Sequence, residues 1–245
     1  MTTRNLFDPH GVKSRRGGPA KPPLSRDIIV TEALRQLSAH GLAGMSLRKV
    51  ATALDTGPAS LYAYVADLDE LHALMLDHAL ANVQLRRLPK AKWRARLLGV
   101  LESYAGVLSG SPGLAQLAFG SVAVGPNALR VTETILALLE EGGVDAATSA
   151  WAVDILILYV TAVVAEHVDH ASEPDPSAPD GAIAHAIAGA SPLDYPHIAA
   201  TRAHLLSGTP AERFAWAFDV LVDGILARPR KGRRAIPKKP RSASK

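Results

Sequence analysis

Residues 46–74 read Ser-Leu-Arg-Lys-Val-Ala-Thr-Ala-Leu-Asp-Thr-Gly-Pro-Ala-Ser-Leu-Tyr-Ala-Tyr-Val-Ala-Asp-Leu-Asp-Glu-Leu-His-Ala-Leu. The pattern is two short helices joined by a tight corner, then a third, longer helix. Ser46 is a side-chain cap for the first, and Val50, Ala51 and Leu54 make one apolar stripe at spacings of three and four. Asp55-Thr56-Gly57-Pro58 ends it: Asp and Gly tolerate left-handed backbone, and Pro58 begins a helix at its first position but cannot continue one. On the next helix Leu61 and Val65 are expected to turn inward, leaving Ala59, Ser60, Tyr62, Ala63 and Tyr64 mainly outward. A short helix held across another, with a compact hydrogen-bonding face, has the shape and chemistry to enter a DNA major groove.

Working outward, Ser25 caps a helix whose buried stripe is Ile28, Ile29, Ala33 and Leu37, and His40-Gly41 ends it. The helix after Asp67 is expected to run through Leu71, Leu74, Met75 and His78 towards Leu85 and to stop by Pro89. It would join the first 84 residues to the rest. Beyond it, helical spacing predicts helices over Trp93–Ser109, Leu114–Val124, Ala128–Glu141, Ala146–His170, Pro196–Leu206 and Pro210–Ala227, with a long connection over 171–193 holding a helical turn at Ala182–Ala188. No segment alternates as a strand does. The expected fold is all-α: a basic arm (1–23), a three-helix helix-turn-helix unit (24–84), a helical effector-binding and dimerisation unit (85–227) and a disordered basic tail (228–245).

Composition narrows the function. A chain of 245 residues that is 48% hydrophobic buries a substantial core, and with no cysteine it has neither disulfides nor thiolate metal sites. A polar, basic start and a longest uncharged apolar run of Ile155 to Ala165 predict a soluble, cytoplasmic protein, nucleoid-associated when bound, with no membrane partner. Residues 228–245 hold nine bases and no acid, and residues 24–227 hold 13 bases against 22 acids. An acidic body with basic ends repels DNA except where its cations lie. Lys13, Arg15, Arg16 and Lys21 either lie in a minor groove or form a solubilising tail.

At residues 24–84 the chain resembles the tetracycline-repressor (TetR) family of bacterial regulators, through Arg48-Lys49-Val50-Ala51, Ser60-Leu61-Tyr62, Tyr64-Val65 and the Asp-rich start of the following helix. The resemblance implies that Arg48 reaches a base edge or phosphate, that Ser46, Ser60, Tyr62 and Tyr64 offer hydroxyls, and that Ala59 and Ala63 touch thymine methyls beside Pro58. Three of these residues carry a second reading: Tyr62 as a prop against the first helix, Tyr64 as a packing residue too, and Lys49 as a solvated cation. The chain departs from the family pattern with Asp55 and Gly57 in the corner, and with Leu68 where many relatives place a phosphate-gripping lysine.

A looser resemblance to the family's C-terminal part, at Leu158-Tyr159-Val160-Thr161 before Glu166, implies a small-molecule effector. Trp93, Tyr104, Phe119, Trp151 and Glu166 are its candidate contacts, with ordinary core as the other reading of the aromatics. Helices 146–170 and 210–227 are apolar on every side, which fits either a homodimer interface or a monomer core. Glu166, His167 and His170 share a helix face able to hold a divalent ion, but their place at a helix end accounts for the histidines without one. No nucleophile, base and orienter stand at a recognisable spacing, so no catalytic residue, metal or cofactor is expected. The expected function is a dimeric repressor of a palindromic operator, released by a small molecule. The alternative is a non-specific nucleic-acid-binding protein using its basic ends.

Overall fold

The computed structural model describes residues 23–85, 92–111, 113–121, 123–170 and 179–230, and these are all-helical. In chain order the helices are α1 (Arg26–His40), α2 (Leu47–Ala53), α3 (Pro58–Leu61), α4 (Leu68–Leu80), α5 (Trp93–Ser109), α6 (Leu114–Gly120), α7 (Pro126–Glu141), α8 (Ala146–His170), α9 (Pro179–Gly189), α10 (Pro196–Leu205) and α11 (Pro210–Ala227). The basic arm up to residue 22 and the tail from residue 231 lie outside the described residues, as does Pro89.

Where a side chain can satisfy the free N–H groups of a first turn, the helix starts there. Ser25 Oγ accepts from the Ile28 amide at 3.3 Å, Ser46 Oγ from Lys49 at 3.3 Å and Asp67 Oδ1 from Glu70 at 2.8 Å. Thr209 and Glu212 complete a reciprocal capping box on α11. At the corner after α2, Asp55 has φ 50°. Only glycine adopts this left-handed region without cost, so Asp55→Val should destabilise the protein by about 1–2 kcal/mol. Urea denaturation measures this, and an unchanged midpoint would contradict it.

Several helix ends differ from expectation. α4 stops at Leu80 rather than Leu85, and tight turns from Ala81 to His78, Asn82 to Ala79 and Val83 to Leu80 carry the chain on. α6 stops at Gly120 rather than Val124, α7 starts at Pro126, two residues early, and the turn expected at 182–188 is the full helix α9. α3 is only four residues long, with a turn at Tyr64 rather than further helix.

The core runs unbroken from head to body. α4 buries Leu71, Leu74, Met75, Leu76, Ala79 and Leu80, because α1 packs along it on the head side and α5, α6 and α7 pack on it from the body. α8 is the centre of the body, touching α5, α6, α7 and α11. Its segment 146–166 has mean hydropathy 1.8 and is long and apolar enough to cross a membrane, a longer stretch than the uncharged run alone suggests. Here it is a core helix on one face only: Ala152, Leu156, Val160 and Val164 are buried while Trp151, Ile155 and Leu158 are exposed. α11 is divided likewise, with Phe218 and Val222 buried and Trp216 and Val220 exposed. Arg94 on α5 fixes the placement of α11 by bridging Asp219 at 2.9 Å and Asp223 at 2.7 Å.

Candidate nucleic-acid interface

The head is built to present one face of α2 and α3. Val50 and Ala51 on α2, Leu61 on α3 and Val65 beyond it are buried with Ile29, Ala33 and Leu37 of α1. The corner is closed by the Thr56 amide donating to the Ala51 carbonyl at 3.0 Å and by Ser60 donating to Gly57 at 2.9 Å. With those apolar residues inward, the opposite surface carries Arg48, Lys49, Pro58, Ala59, Ser60, Tyr62 and Ala63, all exposed, with Ser46 at its edge. Tyr62 is 53% exposed, which places it on the outward face rather than against α1.

Tyr64 is the correction. It is 7% exposed and belongs to the core, although the sequence reading places it mainly outward. α3 ends at Leu61, and the turn that follows, closed by the Tyr64 and Val65 amides donating to the Leu61 carbonyl at 2.8 and 3.0 Å, keeps Tyr64 and Val65 on the inward side with Leu61, three and four residues on. Its carbonyl accepts from Arg26 Nε at 3.0 Å, and Arg26 reaches Glu70 of α4 at 3.7 Å. Glu70 in turn accepts from the Ala66 amide at 2.7 Å. Tyr64 therefore belongs to the latch that seats the α3 segment on α1 and α4.

Lys49 is exposed and also has a partner within the chain. Its Nζ donates to the Gly44 carbonyl, which ties α2 to the loop before it. Leu68 packs partly against the core, and beside it Asp67, Asp69 and Glu70 make the first turn of α4 acidic. On the exposed α2–α3 face Arg48 carries a guanidinium outward.

The five effector candidates are not brought together. Trp93 packs on the Gly142 backbone, where an added Cβ would lie 2.6 Å from its ring. Tyr104 is buried between α5 and α8 with its hydroxyl 2.9 Å from Thr161 Oγ1, and burial pushes its pKa up. Phe119 is 62% exposed on α6, so it is a surface residue, and Glu166 is exposed near the far end of α8. Trp151 lies on the outer face of α8, with the Arg230 guanidinium 3.8 Å above its ring. No described cavity is lined by two of the five. Arg230 also donates its amide to Thr148, so residues 228–230 belong to the body rather than to a free tail. The side chains of His167 and His170 lie outside the described residues. Among the described residues no cluster of three His, Asp or Glu is placed to hold a metal.

Sequence reasoning missed two features of the structure. One is a groove of about 610 Å³ between α8 and α11, lined by Trp151, Ile155, Val220 and Leu221. The other is Asp77 of α4, buried against the first turn of α7. The groove's apolar residues are visible in sequence, but their exposure in a single chain is not.

The family pattern described as "Tetracyclin repressor-like, C-terminal domain" matches residues 87–228. The chain belongs to the TetR family. Among solved structures, this TetR chain is similar to the transcription regulator SCO7704 of Streptomyces, with 39% identity across 87% of this chain and 100% of that one, and a TM-score of 0.70. It is also similar to the TetR family protein ActR of Streptomyces coelicolor in complex with actinorhodin: 28% identity, 84% of this chain, 97% of ActR and a TM-score of 0.76. The HTH-type transcriptional repressor DrrR1 of Streptomyces coeruleorubidus is 34% identical over 142 residues, which are 58% of this chain and 52% of DrrR1. This TetR chain spans about half the length of the curated relatives it matches.

Proposed function

We propose that the protein is a homodimeric transcriptional repressor acting in the cytoplasm at the nucleoid. Its head (24–84) reads a palindromic operator, and its body (85–227) dimerises and takes up a small effector that releases the DNA. The observation that carries this reading is the exposed α2–α3 face, where Arg48, Ser60 and Tyr62 stand out from a corner fixed by buried Val50, Ala51 and Leu61. Ser46, Pro58, Ala59 and Ala63 complete the contact surface, and Tyr64 supports it from behind. Lys49 contributes mainly through the loop it holds.

Dimerisation is supported by the apolar outer faces of α8 and α11, since two such helices from each of two subunits make a four-helix bundle. Effector binding in the body is supported by the likeness to ActR, which has been solved with actinorhodin. A molecule entering between α5 and α8 would part the Tyr104–Thr161 hydrogen bond.

The reading is tested by selecting bound fragments from random duplex DNA. The expected product is an inverted repeat with half-sites about one helical turn, roughly 34–36 Å, apart. Arg48→Ala should bind the selected duplex at least tenfold more weakly while remaining a folded dimer. Failure to select any inverted repeat, or wild-type affinity in Arg48→Ala, would overturn it.

A further inference from the structure

Asp77 is a carboxylate in an unusual place. It is 4% exposed and sits in the buried half of α4, the helix that carries the head. Its Oδ1 accepts from the backbone amides of Asn127 and Ala128, both at 2.9 Å, and its Oδ2 accepts from Asn127 Nδ2 at 3.1 Å. The receiving helix, α7, has no cap of its own: Gly125 at the N-cap has no side chain, and Pro126 has no N–H. α4 therefore caps α7 from outside, with a negative charge at the positive end of the helix dipole.

Gly125 belongs to the same device. Its φ of −98° is open to any residue, so conformation does not demand glycine there. Space does, because an added Cβ would lie 2.0 Å from the Asp77 carboxyl carbon. Burying a carboxylate is costly unless its hydrogen bonds are made, and these require two amides of one helix end at once. A rotation of α4 breaks them instead of stretching them. The contact is thus a fixed pivot between an element seated on the head and one packed along α5 and α8.

We propose that the Asp77–Gly125 junction sets the angle of the head on the body, and so selects the half-site spacing the dimer accepts; this rests on the operator-binding reading above. Asp77 is a positioning residue, since it touches no DNA. It holds the register between α4 and α7, and Arg48 and Tyr62 are aimed through it.

The test uses the full chain with Asp77→Asn, Gly125→Ala and the double variant. Binding is measured on the duplex selected by the wild-type protein, on duplexes with the half-site spacing changed by one base pair, and on non-specific DNA. Each single variant should lose about tenfold on the selected duplex, discriminate less between spacings and keep wild-type non-specific affinity, and the double variant should be no worse than the weaker single. Equal losses on specific and non-specific DNA, or unchanged spacing preference, would overturn the proposal. A second readout needs no operator. Because the chain has no cysteine, spin labels placed through Ala53→Cys on α2 and Glu140→Cys on α7, diluted into unlabelled protein, report the head–body distance directly. A narrow distribution that broadens in Asp77→Asn and Gly125→Ala supports the pivot. An unchanged distribution overturns it, even where failure to select an inverted repeat has already removed the operator reading.

Discussion

Tyr64→Ala will lower the stability of the folded protein by about 3 kcal/mol, while Tyr62→Ala, two residues away, will leave it within about 0.5 kcal/mol of wild type. The difference follows from their surroundings. Tyr64 fills space among Leu61, Val65 and the α1 core, and its removal opens a cavity beside the Arg26–Glu70 latch. Tyr62 has no such neighbours to lose, since its ring is on the outer surface. On the selected operator the order reverses: losing a Tyr62 contact worth about 1 kcal/mol in each of two heads weakens binding roughly thirtyfold. Tyr64→Ala should bind normally at temperatures where it remains folded. Denaturant titration and duplex binding on the same two variants separate the roles, and equal stability in both would show that Tyr64 is not a core residue.

Trp216→Glu is expected to give a well-folded monomer at micromolar concentration that binds the operator at least a hundredfold more weakly. Trp216 is 70% exposed in one chain, so the charge costs the monomer little. In a dimer built on α8 and α11 it would be buried without a partner, where a charge is strongly disfavoured. The loss on DNA arises because one dimer brings its second head to the operator at an effective concentration near the millimolar range, which two separate monomers do not have. Sedimentation of the variant decides the matter, and a stable Trp216→Glu dimer would place the subunit contact elsewhere. Phe218→Ala is the control: Phe218 is buried within the chain, so this variant should lose stability rather than association.

Helix starts were legible in sequence at Ser25, Ser46, Asp67 and Pro210, because the N-terminal signal lies within four residues of the position it controls, but the starts at Pro126 and Pro179 were not read. The left-handed Asp55 was legible for the same reason. Tyr64 was misplaced although it stands three residues after Leu61, on the inward side of the helical repeat, because its hydroxyl and the family resemblance both read as a surface contact. The end of α4 was also hidden: no residue near Leu80 forbids helix, and the early stop reflects the Gln84 amide donating to Ser103 Oγ of α5 at 2.8 Å, a contact 19 residues away. Asp77 reads as a solvated acid in any local window, since its partners lie 50 residues downstream. The uncapped Gly125-Pro126 start of α7 was the trace it left in the sequence. For the four aromatic effector candidates, helical placement alone does not separate buried Tyr104 from surface Phe119.

The two-sided burial of α4 limits how such a protein can be recombined. A graft that moves residues 23–85 onto an unrelated regulator would carry Leu74, Leu76 and Leu80 into a setting with no matching hollow, and Asp77 would arrive without its amide donors. Working hybrids should therefore exchange the wall that receives this helix, α5 to α7, together with it, or change only the exposed residues of α2 and α3 and leave the joint untouched.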